Sequence, residues 1–197
     1  MNFAVKQLVF ILQILILSPS AFAEFTGGLT ELELAEPTEI DGIPCMDEAL
    51  MYADGRLEGC SLARDTKVAG HMFPKGSWPY FDPPGVLKCV FLEYDYEVQG
   101  YLLRGERTNY ETCFHPNGWL RFGNLKEPTV IQGVPCEKST REIWLSKGPS
   151  GIYFHDNGRL KGCRLSQDVH SFKKHKWIEI DREGNVANVI FEEGEGE

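Results

Sequence analysis

A short string of residues recurs along the chain and limits what it can fold into. An aromatic residue precedes a turn that ends in glycine, and an aliphatic residue follows two positions after that glycine. The clearest copy runs from Phe154 through Asn157 and Gly158 to Leu160. Aromatic and aliphatic flanks suit strands, and Asn-Gly or Asp-Gly can supply the positive φ angles of a two-residue primed turn. The string therefore predicts a β-hairpin.

Five copies of this hairpin can be aligned on their turn glycines. These are Gly55, Gly85, Gly118, Gly158 and Gly184. A second signature, a β-branched residue followed two positions later by glycine, lies upstream of most copies. It occurs as Ile40-Asp41-Gly42, Val68-Ala69-Gly70, Val98-Gln99-Gly100 and Ile131-Gln132-Gly133. Such repetition is typical of stacked units. The sequence therefore predicts an all-β fold, in which tandem β-hairpins stack into an elongated, twisted antiparallel sheet.

The return strand of each hairpin carries a further signal. Leu57 and Leu62 are an odd number of residues apart, so strict alternation would place them on opposite faces of the sheet. Gly59 lies between them, and Gly162 has the same place in its own copy. A bulge or bend at this glycine would bring both leucines to one face.

The first residues of the chain are typical of a secretory signal peptide. Lys6 precedes an apolar stretch, and Ala21-Phe22-Ala23 forms a small-x-small cleavage site. We therefore expect residues 1–23 to be removed, with an uncleaved membrane anchor as the alternative. Residues 24–191 then form a single repeat domain of about five units, and residues 192–197 form an acidic, disordered tail.

The repeat domain should begin and end with capping units. The tract from Leu29 to Leu34 predicts a short strand that ends before Pro37, with a helical turn as the alternative. The fifth unit, from Lys176 to Phe191, lacks cysteine and should close the array at its other end.

Six cysteines behind a signal peptide imply disulfides and an exported protein, either periplasmic or secreted. Cys45 and Cys136 each end a Gly-Ile/Val-Pro-Cys string, whereas Cys60 and Cys163 each lie five residues after a turn glycine. Equivalent positions should be paired in the same way, and bridges between neighbouring repeats are the alternative. The simplest pairing is Cys45 with Cys60, Cys136 with Cys163, and Cys89 with Cys113.

The second repeat departs most from the pattern and supplies the best binding candidates. Between His71 and Phe81 several aromatic residues alternate with prolines, which makes a stiff surface of the kind that protein or glycan contacts favour. The candidate contact residues are Phe73, Trp78, Tyr80 and Phe81. The alternative is that these rings cover the edge or the core of the sheet.

Two histidines, His115 and His155, hold matching positions just before the turn. A matched pair could bind a metal or transfer protons. A repeated position, however, indicates a repeated structural role, and we expect each imidazole to bond a backbone group. His170 and His175 flank two lysines at a spacing that suits neither a helical nor a strand metal pair, and we interpret them as part of a solvated basic patch.

Other residue patterns favour a protein without catalytic activity. The aspartates near turns should serve turn chemistry, because no string of calcium ligands surrounds them. They are Asp54, Asp65, Asp156 and Asp168. The chain has no Cys-x-x-Cys pair for zinc, no nucleophile elbow, no phosphate loop and no dinucleotide fingerprint, so no cofactor is indicated. A net charge of −9 argues against binding to nucleic acids.

The string Phe/Tyr-x-x-Asn/Asp-Gly-x-Leu resembles the divergent MORN-type repeats of bacterial proteins. The resemblance covers roughly residues 39–191. It implies short β-hairpins stacked side by side into an extended sheet, which usually serves as a scaffold or a binding surface. It implies no catalytic residues.

These observations rank three hypotheses for function. The first is an exported, non-catalytic interaction module that binds another envelope or extracellular protein or a glycan. The second is a structural envelope protein without a specific ligand. The third is a polysaccharide-directed hydrolase whose carboxylate pair the sequence does not locate. Exposed aromatic rings would favour the first, buried rings the second, and a cleft with two close carboxylates the third.

Overall fold

The computed structural model describes residues 28–106, 109–140 and 150–190. The predicted signal peptide at 1–23 and the predicted acidic tail at 192–197 lie outside the described residues. Within the described residues the chain forms no helix, so it contains none that could cross a membrane.

The described residues form seventeen β-strands. In chain order they are β1 (Leu29–Ile40), β2 (Ile43–Tyr52), β3 (Leu57–Leu62), β4 (Thr66–Val68), β5 (His71–Phe73), β6 (Trp78–Phe81), β7 (Leu87–Phe91), β8 (Tyr96–Val98), β9 (Tyr101–Leu103), β10 (Glu111–Phe114), β11 (Leu120–Gly123), β12 (Thr129–Ile131), β13 (Val134–Cys136), β14 (Ile152–Phe154), β15 (Leu160–Arg164), β16 (Trp177–Ile180) and β17 (Val186–Ile190).

Eleven of these strands form one antiparallel sheet, in the order β1-β2-β3-β6-β7-β10-β11-β14-β15-β16-β17. Because the order follows the chain, the sheet is a meander with β1 and β17 at its edges. The other six strands form three short hairpins, β4-β5, β8-β9 and β12-β13, which we call the covering hairpins. The predicted all-β fold of hairpins stacked into an antiparallel sheet is thus confirmed.

The hydrophobic core lies between the covering hairpins and one face of the sheet. Val186, the recurring aliphatic residue of the fifth unit, is exposed. In the first four units, the recurring aliphatic residue of the return strand and the leucine five positions later supply the sheet side of this core, and all are buried. They are Leu57, Leu62, Leu87, Leu92, Leu120, Leu125, Leu160 and Leu165. The covering hairpins contribute the other side. Their buried residues are Val68, Phe73, Val98, Leu103, Ile131 and Cys136. The two repeating signatures of the sequence therefore correspond to the two layers.

The turns of the two layers differ from the prediction. In the sheet hairpins only the glycine has a positive φ, as at Gly158 with +77°, and Gly158 N–H bonds the carbonyl of His155. This is a type I turn followed by a glycine bulge, so the predicted two-residue primed turn is wrong there. Primed turns occur instead in the second signature, where Gln132 and Gly133 both have positive φ.

The bulge of each sheet hairpin brings the leucines to one face. Pairing skips one residue of each return strand, so that Met51 lies opposite Leu57 while Leu50 lies opposite Gly59. The skipped residues are Glu58, Lys88, Arg121, Lys161 and Ala187. Leu57 and Leu62 are both buried as a result, so the predicted bulge is confirmed, one residue before Gly59.

The first unit joins the two layers in one pair of strands. The pairing of β1 with β2 is interrupted between Leu34 and Thr38, and beyond this point Thr38 lies opposite Cys45. The same pairing recurs in a covering hairpin, where Thr129 lies opposite Cys136. The predicted end of the first strand before Pro37 is therefore wrong: β1 continues to Ile40, because an edge strand with an interrupted ladder tolerates a proline.

Three disulfides connect the six cysteines in the pairing that the repeats predicted. The Cα–Cα distance is 5.6 Å for Cys45–Cys60 and 5.7 Å for Cys136–Cys163, and both bridges lie in the core. The third bridge, Cys89–Cys113, joins residues directly opposite each other on β7 and β10. Three disulfides are consistent with an exported, oxidising compartment.

Candidate functional site

The second face of the sheet, which we call the outer face, carries a continuous row of side chains. The three covering hairpins all contribute to the core, so among the described strands none is left to cover this face. Residues directly opposite each other in neighbouring strands form the row. They are Glu31, Leu50, Gly59, Tyr80, Cys89, Cys113, Phe122, Tyr153, Gly162, Glu179 and Asn188. With neighbouring strands about 4.8 Å apart, this outer row crosses eleven strands and measures about 48 Å.

Aromatic rings on the outer face form two clusters on either side of the Cys89–Cys113 bridge. In the first, the Tyr80 ring lies 6.2 Å from that of Trp78 and 5.6 Å from that of Phe91. In the second, the Tyr153 ring lies 4.8 Å from that of Phe122 and 5.5 Å from that of Trp177. The two tryptophans are buried, whereas the other four rings are half-buried. The face thus presents partly exposed rings from β6 to β14, in the middle of the sheet.

Each tryptophan lies across a glycine of the neighbouring strand. A Cβ atom at Gly59 would stand 2.7 Å from Trp78 Nε1, and one at Gly162 would stand 2.8 Å from Trp177 Cζ2. Both glycines lack a positive φ, so their missing side chain, and not their backbone freedom, is what the fold uses. The glycines allow a large ring to lie flat on the sheet beside the half-buried tyrosines.

A line of charged residues borders the aromatic clusters. These are the bulge residues of alternate strands, which stand beside the outer row on the side of the turns. Lys88, Arg121 and Lys161 are exposed, and Glu58 is half-buried at one end of the line. Burial raises the pKa of Tyr153, and the positive charge of Arg121 acts to lower it, which places this guanidinium near the second aromatic cluster. We call Lys88, Arg121 and Lys161 the cationic line.

Glu58 is the carboxylate of this border, and its surroundings are unfavourable for a negative charge. Its Oε2 atom is buried and has no hydrogen-bond partner among the described residues. Burial raises its pKa, and the nearby Lys88 opposes this shift in part. A carboxyl with a raised pKa in the folded state costs stability when it is charged, above that pKa, and this cost disappears as the pH falls through it.

We therefore predict that Glu58→Gln raises the midpoint of urea unfolding at neutral pH. The gain over wild type should shrink as the pH is lowered, because the wild-type carboxyl then becomes neutral as well. Urea titrations of both proteins across the acidic range measure this difference. A gain that stays constant with pH would contradict the assignment. Glu97→Gln, at an exposed position of a covering hairpin, is the control.

Of the four binding candidates, only two lie on the outer face. Trp78 and Tyr80 belong to the first aromatic cluster, whereas Phe73 and Phe81 belong to the core. Phe73 is 0% exposed and Tyr80 is half-buried. A binding role for these four residues stays a prediction. The other four rings of the outer face were not singled out from the sequence, although Trp177 stands after Gly162 much as Trp78 stands after Gly59.

The two matched histidines bond backbone groups, as expected from their repeated position. The Nε2 atom of His115 lies 3.0 Å from the carbonyl oxygen of Phe154, and that of His155 lies 2.8 Å from the carbonyl oxygen of Ile180. In a third copy the Tyr52 hydroxyl donates to the carbonyl of Phe81. Each of these side chains ties one sheet hairpin to the next.

A second set of bonds ties the covering layer to the sheet. The amide of Gln99 accepts from Leu120 N–H, and that of Gln132 accepts from Leu160 N–H. Asp41 does the same for Leu57 N–H in the first unit. These acceptors all occupy the first position of a primed turn, at φ values from 50° to 52°.

The unit that contains Leu87 lacks both kinds of bond. Ala69 stands where other units have Gln99 or Gln132, and Asp82 stands where others have histidine or tyrosine. A cavity of about 200 Å³ lies here, lined in part by Ala69 and Leu87. The missing side chains explain the cavity, and we assign it no ligand.

Ala69→Gln should fill this cavity and stabilise the protein. The φ of Ala69 is 49°, close to that of Gln99, so the new amide can adopt the same pose and accept from Leu87 N–H. One added hydrogen bond is worth about 1 kcal/mol in the free energy of unfolding. Urea denaturation measures the gain. Ala69→Met, which adds similar bulk without an acceptor, should gain less, and an equal gain would refute the bond.

The aspartates near turns have structural partners. Asp65 accepts from Lys75 N–H at the base of the β4-β5 hairpin, and Asp168 accepts from Lys174 N–H in the segment between β15 and β16. Asp54 accepts from Arg56 N–H, and Asp156 forms an ion pair of 2.8 Å with Arg182. The pKa of each of the last two carboxyls is lowered, mainly by hydrogen bonds from these arginines.

Two further clusters carry acidic or sulfur groups. Cys89, Glu111 and Cys113 bring three potential metal ligands together, but the two cysteines are joined in a disulfide and cannot act as thiolate ligands. A concavity between β1 and β2 is lined by four carboxylates. They are Glu31, Glu33, Asp47 and Glu48. Charges on an edge strand prevent pairing with other chains, and we assign this role to Glu31 and Glu33, which lie on the edge strand β1. A hydrolytic carboxylate pair stays a prediction.

Comparisons with known proteins give no relative from which a function could be inferred. No family model matches the chain, and a search of curated proteins finds no match.

Proposed function

We propose that this chain is an exported, non-catalytic repeat protein that binds a partner through the outer face of its sheet. One observation carries the proposal: the outer row crosses all eleven strands, and the outer face presents four half-buried rings that no described strand covers. Tyrosine, tryptophan and arginine are enriched at the centres of binding surfaces, because they combine a large contact area with polar atoms. The partner is another envelope or extracellular protein or a glycan.

The cysteines and the sequence of residues 1–23 support the proposed compartment. Three disulfides need an oxidising environment to form and persist. With removal of residues 1–23 as a signal peptide, the protein would be periplasmic or secreted. The units are further proposed to be divergent MORN-type repeats, since the string Phe/Tyr-x-x-Asn/Asp-Gly-x-Leu lies on successive hairpins.

A second candidate function is a structural envelope protein without a specific ligand. The burial of Phe73, Trp78 and Phe81 favours it, because these rings stabilise the fold and leave only Tyr80 of the original four partly exposed. The two functions differ in whether the outer face has a partner.

The test compares two variants in binding to a cell-envelope extract. Tyr80→Ser with Tyr153→Ser alters the outer face, and Met72→Ser with Leu102→Ser alters exposed positions of the covering hairpins. The bait is the exported, oxidised protein with its disulfides intact, and each variant is first matched to wild type in thermal stability.

We expect the extract to yield a partner that the outer-face variant fails to retain and the covering-hairpin variant retains. The partner is then purified, and its affinity for the three proteins is measured in a two-component assay. Equal affinities for all three proteins would show that the binding surface does not lie on the outer face. If the wild-type protein retained no partner from the extract, the binding function would be contradicted and the structural function would remain.

A further inference from the structure

The spacing of the cationic line points to the class of ligand, and this step rests on the proposed function. Lys88, Arg121 and Lys161 lie on β7, β11 and β15, which are separated from one another by one intervening strand. With strands about 4.8 Å apart, these cations recur about every 9.6 Å. All three lie on the same side of the outer row, because each is the bulge residue of its hairpin. A regular line of this kind matches a ligand with regularly spaced charges.

Within the described residues, no strong ion pair neutralises the positive charges of the cationic line. Lys88 Nζ lies 3.6 Å from Asp82 in an exposed ion pair, which is worth little. Arg121 Nη2 makes a long contact of 4.0 Å with Cys89 Sγ. Lys161 forms no ion pair with any residue that the structure describes. In a chain of net charge −9, three exposed cations in one line favour an anionic ligand.

Acidic residues limit where such a ligand can lie. Glu58 continues the line at one end, and Glu179 stands in the outer row near the other. Glu111 lies opposite Phe91, on the far side of the row from the cationic line. An anionic chain would therefore lie along the cationic line between β7 and β15, where Asp82, in its exposed ion pair with Lys88, is the carboxylate that it would displace.

The aromatic clusters indicate which part of the ligand lies between its charged groups. Their rings are tilted against each other, at 77° for Tyr80 and Phe91 and at 48° for Phe122 and Tyr153. Tilted rings form no single plane, so they do not suit a flat crystalline surface. They can instead contact the apolar faces of separate sugar units of a flexible chain.

We infer that the outer face binds a linear anionic polysaccharide, a polymer with carboxylate or sulfate groups at regular intervals. The polymer crosses the strands along the outer row. Its anionic groups pair with the cationic line, and its sugar rings contact the two aromatic clusters. A disaccharide unit of an extended polysaccharide is comparable in length to the spacing of the cations.

The experiment measures the affinity of the exported, oxidised protein for oligogalacturonate of defined length and for neutral gluco-oligosaccharide of the same length. The triple variant Lys88→Gln, Arg121→Gln, Lys161→Gln removes the cationic line. A matched variant, Lys67→Gln, Lys75→Gln, Lys138→Gln, removes three exposed cations elsewhere. Wild type should prefer the anionic oligomer, lose affinity as salt is added, and bind at least tenfold more tightly than the first variant. The matched variant should bind like wild type, and Glu58→Gln should bind more tightly.

Four results would overturn the inference. Equal affinity for neutral and anionic oligomers would exclude charge recognition and still leave the outer face as a binding surface. Equal losses of affinity in the two triple variants would show that net charge, and not the cationic line, determines binding. If wild type bound no anionic oligomer but retained an envelope protein through Tyr80 and Tyr153, the ligand class would be wrong and the proposed function right. Failure of both assays would overturn both.

Discussion

Removal of the Cys136–Cys163 bridge, by Cys136→Ala with Cys163→Ala, is expected to lower the free energy of unfolding by about 3–4 kcal/mol. The bridge closes a loop across 27 residues, so its loss restores conformational freedom to the unfolded chain. Both cysteines are 0% exposed, which adds the loss of core contacts. Urea unfolding under non-reducing conditions measures the change, and a loss below about 1 kcal/mol would contradict it.

A second bridge provides the control for where this stabilisation acts. Cys89→Ala with Cys113→Ala opens a loop across 24 residues, so the effect on the unfolded chain should be similar. This bridge, however, joins two sheet strands that are already paired. Hydrogen exchange of the amides in β12 and β13 should therefore rise strongly in the Cys136 and Cys163 variant only, because that bridge connects a covering hairpin to the sheet. Equal exchange in both variants would refute this local role.

The repeated strings predicted much of the fold because each carries its structure locally. A turn glycine with an aliphatic residue two positions later specifies a hairpin whatever its neighbours are, and five such strings gave five sheet hairpins. Equivalence between copies also predicted the disulfides, because Cys45 and Cys136 precede their partners from the same position of a repeat. The structural role of His115 and His155 followed from the same reasoning.

The two layers could not be predicted in this way. The second signature was recognised as a string, yet whether a primed hairpin joins the sheet or folds over it depends on the bulge that precedes it. In the first unit Ile40 ends β1 and Ile43 begins β2, and both strands are continuous with the sheet. Ile131 and Val134 hold the same places in a separate covering hairpin. The backbone bend between layers is a tertiary property, and local residue preferences do not determine it.

The outer row could not be predicted from the sequence, for a related reason. Tyr80, Phe122 and Tyr153 are far apart along the chain and align only through the register of four strand pairings. Each bulge shifts that register by one residue, and a single missed bulge would move every later side chain to the other face. The aromatic segment from His71 to Phe81 attracted attention as a unit, although its rings alternate between the core and the outer face.

Phe73→Ala is expected to lower the free energy of unfolding by about 3–5 kcal/mol, because the side chain is 0% exposed and its loss leaves a large cavity. Its ring lies 5.9 Å from that of Phe114 and 6.2 Å from that of His71, so the cavity would open between the covering layer and the sheet. Urea unfolding measures the change. Met72→Ala, one residue earlier and 50% exposed, should change it by less than about 0.5 kcal/mol.

This pair of variants also separates folding from binding within the aromatic segment. At a temperature where Phe73→Ala is still folded, a buried core residue should leave affinity for the partner unchanged, whereas Tyr80→Ser should reduce affinity without a comparable loss of stability. Titration of the partner against both variants, each checked for native circular dichroism, tests this. A folded Phe73→Ala protein with reduced affinity would show that the binding surface includes the covering layer, and the assignment to the outer face would then be wrong.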